Sequence, residues 1–83
     1  MLKMDVVKVV EIVEILEELL EDMPSKPREE LVIAINLLKS DNLNVDILLK
    51  VQDQLEFISN ISNVDTYSRN EISNVLTELE ELM

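Results

Sequence analysis

Apolar residues recur at helical spacing along nearly the whole chain, and polar stretches interrupt the pattern three times. The first run, Val6 to Leu20, is the most hydrophobic. Val6, Val9, Ile12, Val13, Leu16, Leu19 and Leu20 form one stripe, and Lys8, Glu11, Glu14, Glu18, Glu21 and Asp22 take most of the remaining surface. A first helix is expected from about Lys3 to Asp22. Pro24 and Pro27 stop it and open a second helix running to about Lys39, with Ser25 as N-cap and Pro27 in the first turn. Leu31, Ala34, Ile35 and Leu38 share one face there. The β-branched stretch 31–35 also suits a buried strand by propensity, but the capped start and the 31-34-35-38 spacing favour a helix. Ser40 to Asn44 reads as a linker whose Asn42 or Asn44 caps a third helix over about 44–59, carrying Leu48, Val51, Leu55 and Ile58. After a break at Asn60 to Asp65, a fourth helix over 66–82 places Ile72, Val75, Leu76, Leu79 and Leu82 on one face. Asp65 or Thr66 would cap it, and Ser68 with Glu71 offers a competing capping box one turn later.

The two halves match. Val9, Ile12, Leu16 and Leu19 correspond to Leu48, Val51, Leu55 and Ile58 at a constant offset, and Leu31, Ala34, Ile35 and Leu38 to Ile72, Val75, Leu76 and Leu79 at an offset two residues longer. Arg28 and Glu30 fall on Arg69 and Glu71. A helical hairpin used twice, by duplication or by shared amphipathic spacing, predicts one domain over 1–83: an all-α, antiparallel up-and-down four-helix bundle.

Composition narrows the options. The 83 residues contain no Gly, Cys, His or Trp. Without Gly, phosphate-cradling loops and tight hairpins with positive φ are disfavoured. Without Cys, neither disulfides nor thiolate sites can supplement a small core. The net charge is −11. Residues 1–23 hold two Lys against seven acids, whereas 24–40 hold three bases against two. A net-acidic body repels phosphate backbones, so no direct nucleic-acid binding is expected. The surplus acid either keeps an apolar-rich domain soluble or docks a basic partner. The apolar runs are too short and too charged to span a membrane, and no secretory signal pattern stands at the start, so a cytoplasmic location is expected. Asn60-Ile61-Ser62 matches a glycosylation acceptor but has no meaning without secretion.

The run Leu55-Glu56-Phe57-Ile58-Ser59-Asn60, followed by Asn63, Arg69, Ile72, Asn74-Val75-Leu76 and Leu79-Glu80, resembles the C-terminal half of a small uncharacterised archaeal family of short helical-bundle proteins. Leu16-Glu17-Glu18, Glu21-Asp22 and Pro27-Arg28 are similar to that family's first hairpin. The chain departs from it at Asn60-Ile61-Ser62-Asn63, where the family loop carries Asn-Asp-Pro-Asn, and at Ser73, where a Trp is common. The resemblance implies a four-helix bundle and brings no catalytic residue.

Chemistry is sparse. A di-metal bundle site needs inward Glu and Glu-x-x-His pairs, and there is no His. Asn42, Asn44, Asp46 and Asp53 stand at calcium-loop positions, but Ile47 replaces the required Gly and capping explains them better. The six serines have no His and no obvious Lys base, and Glu14, Glu17, Glu18 and Glu21 read as a solvated face. No enzyme, metal or cofactor is expected. Arg69 is a candidate loop-end polar contact, pairing with Asp65 or Asp22 or recognising a partner. Val7, Val10 and Ile15 on the first helix, Val32 and Ile33 on the second and Phe57 on the third lie off the core stripes and are the candidate interface. A protein–protein interaction or self-associating module is therefore expected. The alternatives are a bundle binding a small molecule or metal ion around an inward cluster seeded by Gln52, and an acidic nucleic-acid mimic.

Overall fold

The computed structural model describes residues 5–83. They form four helices, α1 (Val6–Leu20), α2 (Ser25–Leu38), α3 (Val45–Ser59) and α4 (Thr66–Leu82), and no strand. The expected start of the first helix at Lys3 lies outside the described residues.

Three helices begin with a side-chain cap. The carboxylate of Asp5 accepts from the Lys8 N–H at 3.2 Å, the Asn44 carbonyl oxygen from the Ile47 N–H at 3.0 Å, and the Asp65 carboxylate from the Ser68 N–H at 2.8 Å. The fourth differs from expectation: Pro24, not Ser25, is the N-cap of α2, and its carbonyl accepts from the Arg28 N–H at 2.9 Å. Pro24 has no side-chain acceptor, and Pro27 has no N–H that needs one, so the start tolerates the missing cap. Nor is the Ser68–Glu71 box used. Ser68 lies one turn inside α4, 2% exposed.

The helix ends reflect the absence of glycine. No described residue has positive φ, so left-handed caps are not used. The chain instead leaves each helix through right-handed i→i−3 bonds, such as Asp22 N–H to Leu19 C=O, Ser40 N–H to Leu37 C=O and Ile61 N–H to Ile58 C=O.

Consecutive helices are antiparallel neighbours, and α1 closes the square against α4. Three links tie the sides. Lys8 Nζ bonds Glu81 Oε2 at 3.0 Å, Lys39 Nζ bonds Glu17 Oε2 at 3.0 Å, and Gln54 Nε2 donates to Glu30 between α3 and α2. The fold is thus the expected four-helix bundle. Its centre is built from Ile12 and Leu16 of α1, Leu31 and Ala34 of α2, Leu48, Val51, Leu55 and Ile58 of α3, and Ile72, Val75 and Leu79 of α4, all 0% exposed. Met23, Pro27 and Val64 plug the loop end. The closest helix pair is α2 with α3, and the loosest is α1 with α4. The most hydrophobic helix in sequence is therefore not the most closely held one.

Candidate functional site

Because the helices alternate in direction, the starts of α1 and α3 and the ends of α2 and α4 meet at one end of the bundle. That end carries unmatched apolar surface. Val6 and Val7 are 68% and 67% exposed, Val10 is 48% exposed, and Val45 and Leu49 at the start of α3 are also exposed. Val6 and Val10 correspond to Val45 and Leu49 at the same offset that relates the core stripes. Both hairpins thus leave an aliphatic pair uncovered at the start of their first helix. Val6 departs from expectation, since it sits in the sequence stripe yet lies exposed at the mouth of the bundle, where no described helix continues far enough to cover it.

Between α1 and the end of α2 this surface forms a groove of about 550 Å³. Its apolar wall consists of Val6, Val9, Val10 and Val13 from α1, with Leu38 and Leu43 opposite. Glu14, Glu17, Lys39, Ser40 and Asp41 complete the lining. Lys39 is engaged by Glu17, and among the described residues no cation stands within bonding distance of the lining's other two acids, Glu14 and Asp41. From the groove the acidic row continues along α1 through Glu14, Glu17, Glu18 and Glu21, which border a shallow depression of their own. These positions follow the i, i+3, i+4, i+7 rule and make one ridge.

The other candidates are dispersed. Val32 and Ile33 are exposed on α2, and Phe57 is 56% exposed on α3, but none of them lines the groove. Ile15 is only half-buried. It packs against the core and lines a second depression between α1 and α4 with Glu71, Asn74, Thr77, Glu78 and Glu81. There Glu78 Oε2 is shielded from solvent with no hydrogen-bond partner among the described residues, and Glu81 holds Lys8. The hydrogen bond and charge of Glu81 push the Lys8 ammonium above its usual pKa.

Arg69 pairs with neither Asp65 nor Asp22. Its Nη2 donates to the Ile61 carbonyl at 2.9 Å, tying the start of α4 to the preceding loop. Asp65 is committed to its cap instead. The Ser68 N–H, followed by the Ser68 hydroxyl, holds its carboxyl below the usual carboxylate range. Gln52 is half-buried and seeds no inward polar cluster, since Ser68 is the only buried polar residue among those described. Asn44 is used as a cap. Among the described residues no three acids stand together where they could hold a metal ion, and no helix is long and apolar enough to cross a membrane.

Sequence reasoning missed Val6, Val45 and Leu49 as exposed apolar residues. Their position at one end of two matched hairpins was the available signal. No family model matches the chain, and no curated protein or solved structure matches it either.

Proposed function

We propose that this protein is a non-enzymatic interaction module that binds another protein, or a second copy of itself, through the open end of α1 and α2. The observation that carries this reading is the groove walled by Val6, Val9, Val10, Val13, Leu38 and Leu43, beside the exposed Val7. Single exposed aliphatics are ordinary on a protein surface, whereas contiguous apolar patches mark interfaces. A domain this small has little apolar area to leave in water without use. The resemblance to small archaeal helical-bundle proteins and a cytoplasmic setting belong to the same proposal. The all-aliphatic interior around Ile12, Leu16, Leu48 and Leu55 favours it over a small-molecule or metal-binding bundle. The acidic ridge on α1 is compatible with nucleic-acid mimicry, but the apolar groove beside it fits a protein better.

Light scattering on the full chain and its Val10→Glu variant tests self-association, and cross-linking in the native host with the same two baits tests a foreign partner. A dimer, or a cross-linked protein, that is lost with Val10→Glu supports the module. A strict monomer at every concentration, with identical cross-links from both baits, overturns it.

A further inference from the structure

We infer that the groove takes a basic amphipathic helix, laid along α1 with its apolar face against Val6, Val10, Val13, Leu38 and Leu43 and its cations over the acidic ridge. The inference rests on the interaction-module reading and specifies the partner's chemistry. Two features meet on one flank of α1. The apolar wall lies toward its start, and Glu14, Glu17, Glu18 and Glu21 continue from the wall's edge to the helix end. A partner that covers only the wall leaves the ridge in water. One that follows the flank from Val6 to Glu21 spans about 22 Å, the length of about 15 helical residues.

Charge selects the sign of that partner. Among the described residues, the wall and ridge together carry Glu14, Glu17, Glu18, Glu21 and Asp41 against Lys39. An acidic helix would meet repulsion along most of its length, and a second copy of this chain, at −11, would bring the same repulsion. A helix with Leu at i, i+3, i+4 and i+7 and Lys or Arg on the flanks satisfies both halves. Helix-in-groove recognition uses that anchor spacing. The ridge supplies steering and register, and the aliphatic wall supplies the desolvated contact.

The test is a nuclear magnetic resonance titration of the full chain with a synthetic Leu/Lys amphipathic peptide of about 15 residues. A scrambled peptide of equal composition and a Leu/Glu peptide of the same apolar pattern serve as controls. Shifts at Val6, Val10, Val13, Leu38 and Leu43 are expected, with affinity at least about tenfold above both controls. Affinity should fall by about tenfold or more in Val10→Asn and, separately, in the Glu14→Lys/Glu18→Lys double variant, and it should weaken with added salt. All three substituted positions of these variants are exposed, and unchanged helical circular dichroism would show that the bundle persists. Equal binding of the scrambled peptide overturns the inference in favour of bulk charge attraction. Groove binding by the Leu/Glu peptide overturns the basic partner while keeping the module. A concentration-dependent dimer that excludes every peptide assigns the groove to a second copy. An affinity gain of about tenfold on replacing Leu2 and Met4 with Ser assigns it to the chain's own first residues. Loss of both peptide binding and self-association overturns the module as well.

Discussion

Leu16 stands at 0% exposure in the middle of α1, within a core built mainly of Leu, Ile and Val. Removing its branched end leaves a cavity the bundle can only partly close, so Leu16→Ala should cost about 2–5 kcal/mol. For a domain of ordinary stability, about 5–15 kcal/mol, that is a large share, and urea unfolding would show it as a lower midpoint. Asn44→Ala removes the oxygen that accepts from the Ile47 N–H, and the loss should be about 0.5–2 kcal/mol by the same measurement. Two charged residues carry signed pH behaviour. The Asp65 carboxyl has its pKa lowered from 3.8 by the Ser68 N–H and hydroxyl, so its stabilising effect is present above pH 3.8 and lost as pH falls through the lower folded value. The gap in unfolding midpoint between the protein and Asp65→Ala should therefore narrow in acid. Lys8 behaves oppositely. Its pKa is raised from 10.5 by the hydrogen bond and charge of Glu81, so the pair's contribution is present below pH 10.5 and lost as pH climbs through the raised value. Salt should also weaken that exposed pair.

At the scale of the helix, the four elements are not equally secure. The pair α2–α3 packs most closely, and α1 meets α4 most loosely. Amide hydrogen exchange should accordingly give the greatest protection at Leu31–Ile35 and Val51–Leu55, with α1 opening first from its Val6 end. Uniform protection across all four helices would contradict that ranking. Looseness and the groove have one origin. The start of α1 reaches the mouth of the bundle, where Val6, Val7 and Val10 stay exposed although Leu38 and Leu43 stand across the groove. The Arg69–Ile61 bond secures the opposite end, where Arg69→Ala should lower the unfolding midpoint only slightly, because the contact is exposed.

Over the whole molecule, the two hairpins superimpose their roles as well as their cores. Val9 and Leu48, Ile12 and Val51, Leu16 and Leu55 are buried pairs, and Val6 and Val45, Val10 and Leu49 are exposed pairs. Only the first hairpin adds an acidic ridge beside its exposed pair, since Glu14, Glu17 and Glu18 correspond to Asp53, Glu56 and Phe57 and the fourth acid, Glu21, to Asn60. The basic-helix inference is thus specific to one flank of the bundle. A net charge of −11 and a pI near 4.1 also predict that the protein loses solubility as pH approaches 4, where repulsion between molecules vanishes while the apolar end stays exposed. Turbidity against pH would show it, and polar residues in place of Val6, Val7 and Val10 should reduce it.

Helix number, helix type and the core stripes within the helices were legible from the chain alone, because a 3.6-residue period and three polar breaks are local signals, whereas the buried Met23, Pro27 and Val64 lie outside those stripes. Two caps were narrowed for the same reason, to Asn42 or Asn44 and to Asp65 or Thr66, and the structure uses Asn44 and Asp65. Val6 and Arg69 were not legible. Whether a valine at the edge of a stripe is covered depends on how far a neighbouring helix extends, and which acceptor an arginine finds depends on where a loop carbonyl is placed. The joining of Val6, Val10 and Val13 with Leu38 and Leu43 into one groove, with Ile15 drawn inward instead, was decided only by the antiparallel docking of α1 on α2. The sequence sets which faces are apolar, but which of them find a neighbour depends on packing between segments far apart in the chain.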